Sequence, residues 1–203
     1  MNRTDPPADI RFTPTTQDGP VYPPVPFPRS SDLTNGGSAV GTPLSLHGYV
    51  YDYNRQPVAN AVVEIWQADV NGYYKHPRAA GPDALDPYWR ITADQLDSNF
   101  DYFSSVETTG SGRYSFQTII PRWYHVFGTD RAAHIHIKVR SVDNGVLTTE
   151  IYFPGDEHAE RRDSDSIFGS RLDADDLIVD LNSADEKGAG SPGFSCQRDI
   201  YFR

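Results

Sequence analysis

A chain of 203 residues with a net charge of −10 and a pI near 4.9 has the length of one large domain and lacks the basic excess expected of a nucleic-acid binder. Its 37% hydrophobic and 12% aromatic content supports a buried core rather than disorder, and no apolar run approaches the roughly 20 residues of a membrane span. A single cysteine, Cys196, excludes an internal disulfide and any cysteine-rich zinc site, and is expected to be a packing residue.

The opening MNRTDPPADIRF lacks the apolar core of a secretory leader, so a cytoplasmic location is expected. Residues 1–43 read as an arm, because prolines at 23, 24, 26 and 28 forbid a helix and remove ladder donors. Its Tyr22, Val25 and Phe27 are expected to lie across the domain or a neighbouring subunit. Residues 44–203 form the domain proper. PLSLHGYVYDYNRQPVANAVVEIWQA reads as strand, turn, strand, with turn chemistry in DYNRQP. Residues 75–105 are a long irregular excursion rich in aromatics (Tyr88, Trp89, Phe100, Tyr102, Phe103), which favours a packed, functional loop. GRYSFQTII, HIHIKVRSV and VLTTEIYFPGD alternate with period two, so each is expected to be a strand with one core face. SIFGSRLDADDLIVDLNSADEKGAGSPGF reads as a polar tail that wraps the domain. With no long amphipathic helix, the pattern predicts an all-β fold: an antiparallel β-sandwich with long irregular loops and a Pro-rich N-terminal arm.

Chemistry concentrates in HIHIKVR. Residues i and i+2 of a strand share a face, so His134 and His136 point the same way, either as two nitrogen ligands to one metal or as a plain solvent face continued by Lys138 and Arg140. Two histidines do not complete a site, and cysteine is unavailable. Twelve tyrosines are present, and Tyr74 and Tyr124 stand at strand ends feeding loops, where sites tend to be built. A phenol with a pKa of about 10 needs a strongly acidic metal to bind as phenolate. Two imidazoles with two phenolates suit Fe(III) better than Zn(II) or Mg(II).

The ordered segments LHGYVYDYNRQPVANAVVEIWQADVNGYYKH, GRYSFQTIIPRWY, RAAHIHI and LTTEIYFPGD resemble the intradiol ring-cleavage dioxygenases, most of all the protocatechuate 3,4-dioxygenase branch. TPTTQDGPVY is similar to the T-x-x-Q-x-x-G-P-x-Y stretch that precedes the core in that family. The resemblance implies a non-haem Fe(III) held by Tyr74, Tyr124, His134 and His136, with Tyr73 as the competing neighbour of Tyr74. It implies that Tyr124 leaves the iron when substrate arrives, that Arg131 stabilises negative charge on the ring, and that Trp66, Tyr22 and Glu150 bind substrate. The implied reaction opens a catechol-type aromatic with O2 to a cis,cis-muconate-type diacid, without an organic cofactor. A homo-oligomer is implied, with a heteromeric partner subunit left open; nucleic acid and membrane are not expected partners.

Departures from the family pattern stand beside the match. The family commonly has Gln where this chain has Glu150, RAAHIH replaces R-P-A-H-x-H, and PRWYHVF departs from P-G-x-Y beside Tyr124. His125 is either a substrate contact or exposed. The sandwich begins near residue 44, so the helical extension of the catechol and hydroxyquinol branch is not expected. A rival reading takes GYVYDYNRQPVANAVVEIW as a non-catalytic transthyretin-like or carboxypeptidase-regulatory module, which explains the first strands alone. Others are a degenerate subunit around an active partner and the same iron site with a different aromatic substrate.

Overall fold

Period-two alternation becomes eleven strands among the described residues: β1 Pro43–Tyr51, β2 Val62–Gln67, β3 Phe103–Glu107, β4 Arg113–Ile119, β5 Tyr124–Val126, β6 Thr129–Arg131, β7 His134–Ser141, β8 Gly145–Tyr152, β9 Asn182–Ala184, β10 Gly193–Gln197 and β11 Ile200–Tyr201. The computed structural model describes residues 11–76, 92–126, 128–155, 162, 164–165, 167–184 and 193–203. Among the described residues, two short 3-10 helices, Ala93–Gln95 and Ala174–Leu177, accompany the strands, and no helix is long and apolar enough to cross a membrane. Tyr88 and Trp89 of the aromatic excursion lie outside the described residues, whereas Phe100 and Tyr102 are buried.

The strands form two packed sheets and a ribbon. One sheet runs β3-β2-β7-β8, all antiparallel. In the other, β1 pairs antiparallel with β4 along one edge and parallel with β10 and then β11 along the opposite edge. Between them Leu44, Leu46, Val50, Val63, Ile65, Phe116, Ile135, Ile137, Val139 and Ile151 make the main core, each fully buried side chain contributing about 1.5–3 kcal/mol. The ribbon is β5-β6.

Three features differ from the sequence expectation. The turn after β1 forms as read, with the Asp52 carboxylate accepting from the Asn54 and Gln56 amides, but β1 and β2 separate into opposite sheets because each finds longer partners elsewhere. The polar tail contributes β9 and the start of β10, and the parallel pairing of β10 and β11 with β1 departs from a purely antiparallel sandwich. Where the chain crosses from β10 to β11, the Arg198 carbonyl comes so close to Gly48 that a Cβ there would meet it at 1.9 Å; only glycine fits β1 at that point. Finally, β7 does not have one core face. His134, His136 and Lys138 are buried as well, because Asp18, Gly19 and Tyr22 of the arm cover Lys138, His136 and Trp66 and Tyr124 and Tyr152 pack on His134.

The arm attaches by backbone and by side chain. Thr16 N donates to Thr148 O, Ser30 N to Ser105 O and Leu33 N to Gln117 O, while Val21 and Leu33 are buried. Asp18 pairs with Lys138 and accepts from the Thr148 hydroxyl. Tyr22 donates to Glu64 at 2.8 Å, accepts from Arg140 at 2.9 Å and lies under the Lys138 ammonium at 4.4 Å. These contacts cover a strand face that alternation alone would leave in water.

Candidate metal centre

Strand register assembles the site. On the outer face of the four-stranded sheet, His136 of β7 stands opposite Trp66 of β2 and Glu150 of β8, and His134 stands opposite Tyr152. Tyr124 pairs with Arg131 across the β5-β6 ribbon. Tyr74 arrives on the turn after β2, which the buried Asp69 carboxylate organises by accepting from the Asn71 and Tyr73 amides and from the Tyr102 hydroxyl. The turn passes through Gly72 at φ +82°, where a Cβ would meet the Trp123 carbonyl at 2.7 Å and the Tyr124 Cβ at 3.3 Å. The Gly72→Ala variant is therefore expected to lose more than about 1 kcal/mol and to push the Tyr74 turn away from Tyr124; denaturant midpoint and metal content of one preparation check both effects.

Hydrogen bonding fixes the His134 tautomer, and the carboxylate beside His136 favours the same one there. His134 Nδ1 lies 2.6 Å from the Ala132 carbonyl, which only accepts, so Nδ1 carries the proton and Nε2 presents its lone pair. His136 Nδ1 lies 3.3 Å from Glu150 Oε1 without hydrogen-bond alignment, and a carboxylate neighbour likewise favours the proton on Nδ1. The two Nε2 atoms then face each other at 3.1 Å with no proton between them. That spacing suits two neighbouring ligands each about 2.1 Å from one ion. Burial lowers both imidazoles, His134 well below its ordinary value and His136 to about 4, so both are neutral, as ligands must be.

Two phenols complete the cluster. Tyr124 Oη lies 3.4 Å from His134 Nε2, and the Tyr74 ring meets the Tyr124 ring edge-on at 5.2 Å. Among the described residues no well-aligned hydrogen bond reaches the buried Tyr74 hydroxyl, although the Tyr124 hydroxyl is beside it; such a group is costly to bury unless something binds it. Burial raises Tyr124 to about 12 and Tyr74 well above its ordinary value, so each becomes a phenolate only beside a cation. Among the described residues, His134, His136 and Glu150 also form the one group whose donor atoms all lie within 4.8 Å of one another.

Behind the histidines sits a buried ionic cluster. Arg131 Nη2 donates to both Glu150 oxygens at 3.0 Å and to the Tyr152 hydroxyl at 3.1 Å, while its Nε donates to both Asp165 oxygens at 3.2 Å. Tyr152 donates to Glu150 at 2.7 Å. Asp165 also accepts from the backbone amides of Ala132, Ile167 and Phe168. Burial pushes the Glu150 carboxyl up, but with both imidazoles neutral the Arg131 charge and the Tyr152 hydrogen bond still hold it below its ordinary value.

Comparison with known proteins places this geometry. The family model described as Dioxygenase matches residues 18–197, from the arm through β10. The chain belongs to the intradiol ring-cleavage dioxygenase family. Within it, the chain is 32% identical to the catechol 1,2-dioxygenase of Acinetobacter baylyi over 163 residues, covering 72% of this chain and 48% of that protein. It is 34% identical to the protocatechuate 3,4-dioxygenase beta chain of Burkholderia cepacia over 137 residues, covering 64% and 54%. The chain thus spans about half the length of these curated relatives. Among solved structures, catechol 1,2-dioxygenase from Acinetobacter sp. ADP1, inhibited by bound mercury, superposes with a TM-score of 0.70 at 27% identity, covering 94% of this chain and 62% of that one. The dioxygenase domain of a carbohydrate-binding fusion protein from Streptomyces sp. SirexAA-E shares the fold at TM-score 0.65 and 24% identity, covering 95% and 98%. A regulatory module confined to the first strands does not account for a match of this extent.

In this intradiol dioxygenase fold, Tyr74, Tyr124, His134, His136, Arg131, Trp66 and Glu150 converge. Trp66 stacks on His136 at 4.6 Å with the rings 2° from parallel. Tyr22 is one layer further out, edge-on to Trp66 at 4.9 Å, with its hydroxyl held by Glu64 and Arg140. His125 is half-buried against Asp130 at 2.9 Å. Sequence reasoning missed Asp165 and Gly19. Asp165 lies in a stretch with no periodic signal, while a Cβ on Gly19 would sit 3.6 Å from His136 Cε1, so the arm passes directly over a ligand candidate. Tyr152 did carry a signal, since it shares a strand face with Glu150 two residues away.

Proposed function

We propose that this protein is a non-haem Fe(III)-dependent intradiol dioxygenase that opens a catechol-type ring with O2 to a cis,cis-muconate-type diacid, the iron being held by Tyr74, Tyr124, His134 and His136. The observation that carries this reading is the pair of imidazole Nε2 atoms 3.1 Å apart beside two buried phenols. Tyr74 is preferred to Tyr73 because its ring, buried and edge-on to Tyr124, belongs to the cluster. Bound there, a ferric ion supplies a Lewis acid that templates the diol and lends its ring carbanion character toward O2.

The chain's own residues do the rest. Because burial favours the neutral phenol of Tyr124, its phenolate is a strong base, and Tyr124 Oη is the atom that takes a proton from the incoming diol. Arg131, paired across the ribbon from Tyr124, brings a fixed positive charge toward the negative charge that develops on the ring. Trp66 and the Gly19 backbone cover His136 and keep water off its edges.

The test is a visible absorption spectrum with iron analysis of the same purified sample. A reddish tyrosinate-to-Fe(III) charge-transfer band with about one iron per chain is expected, together with O2 uptake and a muconate-type product from a catechol. A protein that stays colourless and iron-free after ferric reconstitution overturns the reading.

A further inference from the structure

The cluster behind His136 has an unusual charge count. Arg131 contributes one positive charge, and Glu150 and Asp165 one negative charge each, so the trio carries a net −1. The three side chains are 7%, 3% and 0% exposed, where solvent screens little. Glu150 is paired across the strands with His136, and its Oε1 lies 3.3 Å from that ring. The excess negative charge of the trio is thus built in directly behind His136.

With the proposed ferric ion and two phenolates summing to +1, the whole site with Glu150 comes to zero, one unit more negative than it would be with an uncharged side chain at 150. No unpaired basic group among the described residues on this face makes up the difference. Arg131 spends Nη2 on Glu150 and Tyr152 and Nε on Asp165. The next basic groups on the same sheet face are also taken, Lys138 by Asp18 and Arg140 by Glu64 and Tyr22. A diol that binds as a dianion between ligands already adds negative charge here. A further carboxylate on its ring would meet this excess negative charge, with Arg131 already engaged by two carboxylates through Nε and Nη2.

We propose that Glu150 is a specificity-determining residue that makes this pocket select catechols without an anionic ring substituent and disfavour catechol carboxylates. Like-charge repulsion in a poorly screened site discriminates by on the order of tenfold or more. The mechanism is the standing charge of the trio, since a glutamine of the same shape in place of Glu150 would leave Arg131 and Asp165 balanced. This rests on the catechol reading above.

The experiment is an anaerobic titration, in which no turnover occurs, of the iron-loaded protein with catechol and with 3,4-dihydroxybenzoate, following the charge-transfer band. The native protein is expected to bind catechol at least about tenfold more tightly. Glu150→Gln is expected to narrow that ratio by about tenfold, chiefly by tightening the carboxylate. If Glu150→Gln fails to load iron, Asp165→Asn removes the same charge from the far side of Arg131 and is expected to narrow the ratio likewise. A native preference for 3,4-dihydroxybenzoate, or a ratio unmoved in an iron-loaded variant, overturns the proposal. Failure of the catechol reading itself looks different, because the native protein would then show no charge-transfer change with either diol.

Discussion

Replacing Arg131 with methionine is expected to destabilise the protein by about 3–5 kcal/mol, the usual cost of breaking a buried ion pair from one side, and to remove turnover. Methionine fills much of the space but leaves Glu150 and Asp165 buried without their shared cation. Glu150 would keep the Tyr152 hydroxyl, and Asp165 its backbone amides, so the loss is of charge balance rather than of all hydrogen bonding. The pH dependence carries a distinct sign. In the native protein Glu150 is held below an ordinary 4.5 by Arg131 and Tyr152, so its contribution is complete above 4.5 and is lost as pH falls through the lowered folded value. Without Arg131, burial pushes the carboxyl up, so the folded state takes up a proton more readily than the unfolded chain. The deficit of the variant should therefore shrink as pH falls from 7 to 4. Urea midpoints at the two pH values measure this; an equal deficit at both, or a loss under about 1 kcal/mol at pH 7, means that the cluster is not organised by Arg131. A second substitution, Glu150→Gln, in the Arg131→Met background should recover part of the loss, because the two residues are directly coupled.

Tyr124→Phe separates chemistry from folding. The ring keeps its place against Tyr74 and only the hydroxyl is lost, so a folded protein is expected. On the proposed ligand set it binds iron more weakly and shows an altered charge-transfer band, since one of two phenolates is missing. Turnover is expected to fall by about 10²–10⁴-fold, the range for losing a positioned proton acceptor. Steady-state O2 uptake with iron content of the same sample checks it. Full activity with an unchanged spectrum would remove Tyr124 from the site.

The sequence by itself determined those parts of the protein that depend on local geometry. Period-two alternation identified β4, β7 and β8 and placed His134 beside His136, because successive strand residues alternate faces whatever the rest of the chain does. Prolines 23, 24, 26 and 28 marked the arm for the same kind of reason, since a fixed φ and a missing N–H act on the residue that carries them. The order of the motifs, from EIWQA through PRWY and HIHI to LTTEIYF, was enough to point to the intradiol family that residues 18–197 match.

Tertiary structure alone decided what those residues face. Alternation allowed the His134 and His136 face to be wet; the arm over His136 and the rings of Tyr124 and Tyr152 against His134 made it dry, and with that made the imidazoles neutral. Strand pairing sent β1 to β4, β10 and β11 and sent β2 to β3 and β7, because hydrogen-bonded partners are chosen by long-range burial rather than by the turn that joins them. Asp165 lies 34 residues beyond Arg131 in the chain yet shares its guanidinium, and no short-range pattern encodes such a contact. Charge at the site was likewise a tertiary matter: a glutamate in a strand is one residue, but Glu150 and Asp165 closing on one arginine make a net negative trio only once the fold has removed all three from water.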